Sequence, residues 1–187
     1  MSTIAYGCNT QTMINSMQIE FEKKLVELGL SYSLNYDDFY TISSQPIGGN
    51  RIIVRLISSL PSNNQVNGSK NGNGIQGIGI FKFQHSLKGQ EPDLWIFAFQ
   101  NTFKNRAEFI IIPIKELTRK LIEGNRYSTK NQQIVFWLIP DNCLYETTNI
   151  GIEGEWYYLS KGLNGRMADN TDSDYTEFLN NWGRLAF

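Results

Sequence analysis

The pattern of apolar and polar residues predicts one amphipathic helix followed by a run of strands. Between residues 13 and 28 the apolar side chains recur at steps of three and four, which is the one-face pattern of a helix. Gly29 follows as the residue expected to end that helix. Five strands come next, in the segments FYTIS, RIIVRLIS, GIGIFKFQ, DLWIFAFQ and EFIIIP. The apolar positions of the predicted helix are Met13, Ile14, Met17, Phe21, Leu25 and Leu28.

The fourth and fifth strands, residues 93–100 and 108–113, are apolar on both faces. Such strands lie at the centre of a sheet that is covered on both sides, so we expect helices on both faces, at least in part. Residues 114–123 and 171–182 have the apolar spacing of helices, and residues 134–139 read as one more buried strand. The stretch between residues 141 and 170 is predicted to be irregular, apart from a short strand at 155–159.

Composition narrows the class of protein. The chain has 187 residues with 13% aromatics, which suits one α/β domain over residues 1–187 with a mixed central sheet flanked by helices. The segment at about 61–77 is rich in Asn and Gly, and we expect a flexible loop there. Two cysteines and one histidine are too few for a Cys/His zinc site. The chain lacks a signal-like start and a long apolar segment, so we expect a cytoplasmic protein with no membrane partner.

The net charge of −1 and the isoelectric point near 5.9 give no general basic signal for nucleic acid, so any basic site must be local. Arg51 and Arg55 fall on one face of the second strand, together with Ile53 and Ile57. Arginine binds phosphate through paired hydrogen bonds, so both residues are candidates for nucleic-acid binding. The alternative is a pair of arginines at the rim of the sheet, bonded to Asp37 or Asp38.

Further cationic residues are candidates for the same site. Lys82 lies on the middle predicted strand, where we expect it either to contribute to the same nucleic-acid site or to guard a sheet edge against aggregation. Lys115 and Arg119, with Lys120, form a small basic face on the helix predicted at residues 114–123. A helix face of this kind is either a binding surface or simply solvated.

The segments NRIIVRLISS, DLWIFAFQ and EFIIIPIKEL resemble strands of the restriction-endonuclease-like (PD-(D/E)XK) superfamily, over roughly residues 12–123. That resemblance implies an acid on one strand and an Asp/Glu-x-Lys motif on the next, with carboxylates that hold Mg²⁺. Asp38 is the candidate for the first acid. Arg55 occupies the position of the second acid, and Ile57 that of the lysine. The resemblance therefore implies a nuclease scaffold without its catalytic motif and without a cofactor.

Three hypotheses follow from these patterns. In the first, the chain binds DNA or RNA through the arginine, lysine and helix candidates and is catalytically inactive. In the second, it is an active Mg²⁺-dependent endonuclease whose acids have moved to Asp37, Asp38, Asp93 or Glu108. In the third, it is a protein-interaction module, such as an immunity or assembly factor, that binds a protein partner and no nucleic acid.

Overall fold

A computed structural model describes residues 6–35, 38–44, 49–59, 77–82, 92–101, 104–120, 133–139, 142–146 and 174–185. The predicted loop at 61–77 lies outside these residues except for its last residue, Gly77. The short strand predicted at 155–159 and the start of the helix predicted at 171–182 lie outside them entirely. The helices are α1 Tyr6–Glu27 and α2 Ile114–Thr118. The strands are β1 Ser31–Leu34, β2 Phe39–Ser43, β3 Arg51–Ser58, β4 Gly77–Lys82, β5 Leu94–Asn101, β6 Arg106–Pro113, β7 Gln133–Ile139 and β8 Cys143–Glu146.

Helix α1 ends where the sequence predicts it to end. Gly29 has a φ of 70°, and its N–H donates to the carbonyl of Val26 at 2.9 Å. The N–H of Leu30 reaches back to the carbonyl of Leu25 at 3.0 Å. These two bonds form a Schellman motif, which favours glycine at the left-handed position because glycine has no Cβ. The motif turns the chain directly into β1.

The eight strands form one mixed sheet in the order β1-β2-β3-β5-β4-β7-β8, with β6 on the other edge of β5. Strands β3 and β5 run parallel, with Val54 beside Leu94, and the remaining pairs are antiparallel. The prediction of a mixed central sheet in an α/β fold is therefore confirmed, with strands much more prominent than helices. No helix in the described part of the chain is long and apolar enough to span a membrane.

Two apolar clusters lie on the two faces of the central strands. One, which we call the helix-side core, joins α1 to one face through residues such as Phe21, Ile42 and Ile96. The other, the strand-side core, contains Trp95 and Phe97 of β5 with side chains from β4, β6, β7, β8 and α2. Alternate residues of β5 and β6 enter the two cores, which is why both strands are apolar throughout.

The strand-side core is closed mainly by strands. On the edge of β5 that β3 occupies, β4 pairs only at one point, where Gly77 lies beside Asn101. Strands β4, β7 and β8 therefore leave the plane of the sheet beyond that point. The ring of Phe81 in β4 then lies 5.0 Å from the ring of Phe97. Helices flank the sheet only in part, because α2 contributes one buried residue, Leu117, on this side.

The prediction of a helix at residues 171–182 is wrong within the described residues, 174–185. Two 3₁₀ turns are present instead, Thr176–Phe178 and Trp182–Leu185. Between them the chain bonds to the edge of β6 that faces away from β5, where the N–H of Asn180 donates to the carbonyl of Phe109 at 2.7 Å. Phe178 packs into the strand-side core, whereas Trp182 packs against the helix-side core. One helix face cannot serve two opposite faces of a sheet.

Two short strands were not predicted. Strand β1 is the segment SYSL, whose exposure and serine content give no clear apolar alternation. Strand β8 lies inside the stretch that was predicted to be irregular and pairs with β7, where Glu146 lies beside Phe136.

Candidate nucleic-acid interface

Arg51 and Arg55 do share one face of β3, as the alternation predicts. This is the face of the strand-side core, because Arg55 lies beside Trp95 in the parallel register. Arg51 is exposed and Arg55 is half-buried. The four residue steps from Arg51 to Arg55 correspond to about 13 Å along a strand, which is too far for one phosphate but suits two phosphates of one backbone.

The guanidinium of Arg55 lies against two aromatic rings. Its central carbon is 5.2 Å from the ring centre of Phe39 in β2 and 5.1 Å from that of Trp95 in β5. Both distances are in the range of cation–π contacts. Phe39 and Trp95 lie beside Arg55 on the two neighbouring strands, so the sheet itself fixes the direction of the guanidinium. Arg55 is therefore a positioned cation, unlike the exposed Arg51.

Asp93 connects this face to α2. Its N–H donates to the carbonyl of Ile53 at 2.8 Å, and its carboxylate accepts the N–H of Ile53 at 2.7 Å. The carbonyl of Asp93 accepts the N–H of Ile114, the first residue of α2, at 3.1 Å. These bonds hold the start of α2 at the end of the sheet where β3 begins. Exposed Lys115 follows directly, on the same side of the sheet as Arg51.

The predicted basic face of α2 is only partly present. Lys115 and Arg119 are exposed, but Arg119 forms an ion pair of 3.1 Å with Glu116. Lys120 does not point outward, because its side chain is only 4% exposed and its ammonium donates to the carbonyl of Asp174 at 2.8 Å. That ammonium also lies 4.9 Å from the ring centre of Tyr175. Lys120 therefore belongs to the core and not to a binding surface.

Lys82 is the last residue of β4 and pairs with Gln133 of β7. The described structure gives the course of its backbone and not of its side chain. Arg51, Arg55, Lys115 and Arg119 are therefore the candidates that the fold brings to one side of the sheet, and we call this group the arginine face.

The candidate acids do not converge on one point. Asp38 is exposed and has a φ of 67°, and its backbone carbonyl accepts the N–H of Leu56 at 2.9 Å on the β2 side of β3. Asp93 bonds to Ile53 on the β5 side. Two strand spacings and three residues of rise separate the two aspartates by about 14 Å. Two oxygens on one Mg²⁺ lie within about 4 Å of each other, so this pair does not make a shared metal site. Asp37 lies outside the described residues.

Glu108 is buried and fully engaged in a structural network. Its carboxylate accepts hydrogen bonds from Asn101 at 2.9 Å and from the Nε of Arg106 at 3.1 Å. It also accepts the side-chain amide of Asn180 in the C-terminal segment. The register of β5 with β6 places it about 20 Å along the strands from Asp93. Among the described residues no group of three or more His, Cys, Asp or Glu side chains is arranged to hold a metal ion.

The aromatic neighbours of Arg55 were not predicted from the sequence. Phe39 lies in β2 and Trp95 in β5, so their contacts with Arg55 depend on how β2 and β5 pair with β3. The alternation within one strand does not reveal such a register. A signal was nevertheless present, because an arginine inside an otherwise apolar strand needs a surface to stack on or an anion to bind.

Comparisons with known proteins identify no relative of this chain. The chain matches no protein-family model, no curated protein and no solved structure. Its function must therefore be argued from its own residues.

Proposed function

We propose that the chain binds DNA or RNA through the arginine face and does not cleave it, on a scaffold similar to that of the restriction-endonuclease-like proteins. The observation that carries the proposal is the common location of its cations. Arg51, Arg55 and Lys115 lie on one side of the sheet and towards one end of it, although β3 and α2 are far apart in the sequence.

The chemistry of these side chains suits a phosphate backbone. Arg51 and Lys115 are exposed and can reach phosphates in solution, while Arg55 is held by Phe39 and Trp95 and loses less side-chain entropy on binding. Phosphate contacts of this kind give affinity without sequence preference. The half-buried ring of Phe39 adds an apolar surface beside Arg55, on which an unpaired base can stack.

The separation of the acids supports binding without cleavage. A metal-dependent nuclease needs at least two carboxylate ligands around one ion. Asp38, Asp93 and Glu108 are separated by about 14 Å or more along the sheet, and both Asp93 and Glu108 accept hydrogen bonds from the protein itself.

Fluorescence anisotropy with labelled single-stranded and duplex oligonucleotides tests the proposal. We expect Arg51→Ala, Arg55→Ala and Lys115→Ala each to weaken binding by about three- to tenfold. Lys23→Ala is the matched control, because Lys23 is exposed on α1, on the opposite side of the sheet. Equal affinities for the wild type and all three arginine-face variants, or an equal loss in Lys23→Ala, would show that the face is not the binding site.

A further inference from the structure

Strand β1 forms an outer edge of the sheet, and its sequence does nothing to protect that edge. In the described part of the chain it pairs with β2 alone. Its four residues, Ser31–Leu34, include neither a charge nor a proline. Natural proteins usually guard such an edge with a lysine, a proline or a bulge, because unpaired backbone groups there can bind another strand.

The hydrogen-bond pattern shows which backbone groups of β1 point outward. The N–H of Asn35 donates to the carbonyl of Phe39 at 2.8 Å, so Asn35 bonds inward, towards β2. In an antiparallel pair the inward-bonding residues alternate. Ser33 therefore also bonds towards β2, and the N–H and C=O groups of Tyr32 and Leu34 point away from the sheet.

The side chains of the same two residues extend an apolar surface. Tyr32 and Leu34 lie beside Ile42 and Tyr40 of β2, on the face that α1 covers, and they are 37% and 49% exposed. The hydroxyl of Tyr32 donates to Glu22 of α1 at 3.3 Å, which holds that side of the helix next to β1.

Helix α1 adds two exposed apolar residues to this surface. Ile19 and Val26 are 64% and 65% exposed, and both lie within one helical turn of Glu22 on the same side of α1. Large apolar side chains grouped in this way commonly mark an interaction site. We call Ile19, Val26, Tyr32 and Leu34 the β1 edge surface.

We propose that the β1 edge surface binds a second copy of this chain, with β1 of each copy paired antiparallel. Residues that face each other in an antiparallel pair lie on the same side of the sheet. Tyr32 of one copy therefore faces Leu34 of the other, with Ser33 at the two-fold axis. The outward N–H and C=O groups of Tyr32 and Leu34 then form four hydrogen bonds across the axis.

Self-pairing is favoured over another partner because the edge is complementary to itself. The two-fold axis stands perpendicular to the sheet, so both copies keep α1 on the same side. Apolar residues face apolar residues at both ends of the pair. Because β1 is uncharged, two copies meet without repulsion between like charges on the strand.

Sedimentation velocity over a hundredfold range of protein concentration tests this proposal. We expect a dimer that forms as concentration rises, and we expect Leu34→Lys to raise its dissociation constant at least about tenfold, since a lysine on the edge blocks pairing. Leu28→Lys is the control, because Leu28 is also exposed, at 42%, but lies in the turn that follows α1 and outside the β1 edge surface. A monomer at every concentration, or a dimer that Leu34→Lys leaves unchanged, overturns the proposal.

Amide hydrogen exchange measured residue by residue tests the strand pairing itself. In the dimer the N–H groups of Tyr32 and Leu34 become hydrogen-bonded, so their exchange slows as concentration rises. The N–H of Ser33 already bonds to β2 and keeps its rate. A dimer in which the Leu34 amide exchanges as fast as in the monomer contradicts pairing through β1.

Discussion

Glu108 offers the sharpest test of how the acids of this chain are used. It is 1% exposed, and its two carboxylate oxygens accept hydrogen bonds from Asn101, Arg106 and Asn180. Through Asn180 it connects β6 to the C-terminal segment. These contacts indicate that Glu108 stabilises the fold, so its loss should destabilise the protein. The substitution Glu108→Gln keeps the shape of the side chain and removes its charge.

The expected loss follows from the hydrogen bonds. A glutamine offers one carbonyl oxygen and one NH₂ group, and that NH₂ group must face side chains that are themselves donors. The hydrogen bonds to the carboxylate oxygen that the NH₂ group replaces are therefore lost. The hydrogen bonds to the remaining oxygen are kept, but their acceptor is now neutral. A hydrogen bond to a charged group contributes about 1.5–3 kcal/mol and a neutral one about 1 kcal/mol. Arg106 is 55% exposed, so its ion pair adds little. We expect the free energy of unfolding to fall by about 2–4 kcal/mol.

Urea unfolding followed by tryptophan fluorescence measures this difference, and Glu116→Gln is the matched control. Glu116 pairs with Arg119 at 3.1 Å on the surface, so its loss should cost no more than about 1 kcal/mol. Mg²⁺ should leave the midpoint of unfolding of the wild type unchanged, because an ion bound by the folded state would raise it. A Glu108→Gln protein as stable as Glu116→Gln, or a Mg²⁺-dependent rise that Glu108→Gln abolishes, would refute the structural role of Glu108.

Three further changes test the packing. Burial raises the pKa of Tyr40, and the hydrogen bond to Glu22 and the charge of that carboxylate raise it further. The contribution of Tyr40 to the free energy of unfolding is therefore full below about pH 10 and is lost as the pH rises above it. In unfolding curves measured at alkaline pH, the stability of Tyr40→Phe should fall less steeply with pH than that of the wild type. In Gly79→Ala the new Cβ would lie 2.5 Å from the buried ring of Phe81, so thermal unfolding should show a loss of about 1–3 kcal/mol. Lys120→Met removes the ammonium that donates to the carbonyl of Asp174, so chemical unfolding should show a fall of about 1–3 kcal/mol in the free energy of unfolding. An unchanged free energy of unfolding would mean that the ammonium does not bind that carbonyl.

The strands that alternation defines could be predicted closely from the sequence. The observed bounds of β2 and β3 coincide with the predicted segments. In β2 buried and partly buried positions alternate, and in β3 one face is clearly apolar. The C-terminal segment could not be predicted in the same way. The spacing of Tyr175, Phe178 and Trp182 fits a helix, but hydrogen bonds between Asn180 and Phe109 of β6 override that local preference.

The candidate site could be predicted only in part. Alternation correctly places Arg51 and Arg55 on one face of β3, since that needs the course of one strand alone. The contacts of Arg55 with Phe39 and Trp95 depend on the registers of three strands, which no single segment contains. The inward direction of Lys120 depends on Asp174 and Tyr175, which lie in the segment that was predicted to be a helix.

The salt dependence of nucleic-acid binding shows whether the arginine face contacts phosphates. If the arginine face binds phosphates, the logarithm of the affinity of the wild type should fall linearly with the logarithm of salt concentration, with a slope of about −2 to −4 for duplex DNA. The double variant Arg51→Ala/Lys115→Ala should flatten that slope by about 2. The absence of binding to single-stranded and duplex DNA and RNA at low salt, or an affinity that does not respond to salt, would contradict phosphate binding by the arginine face.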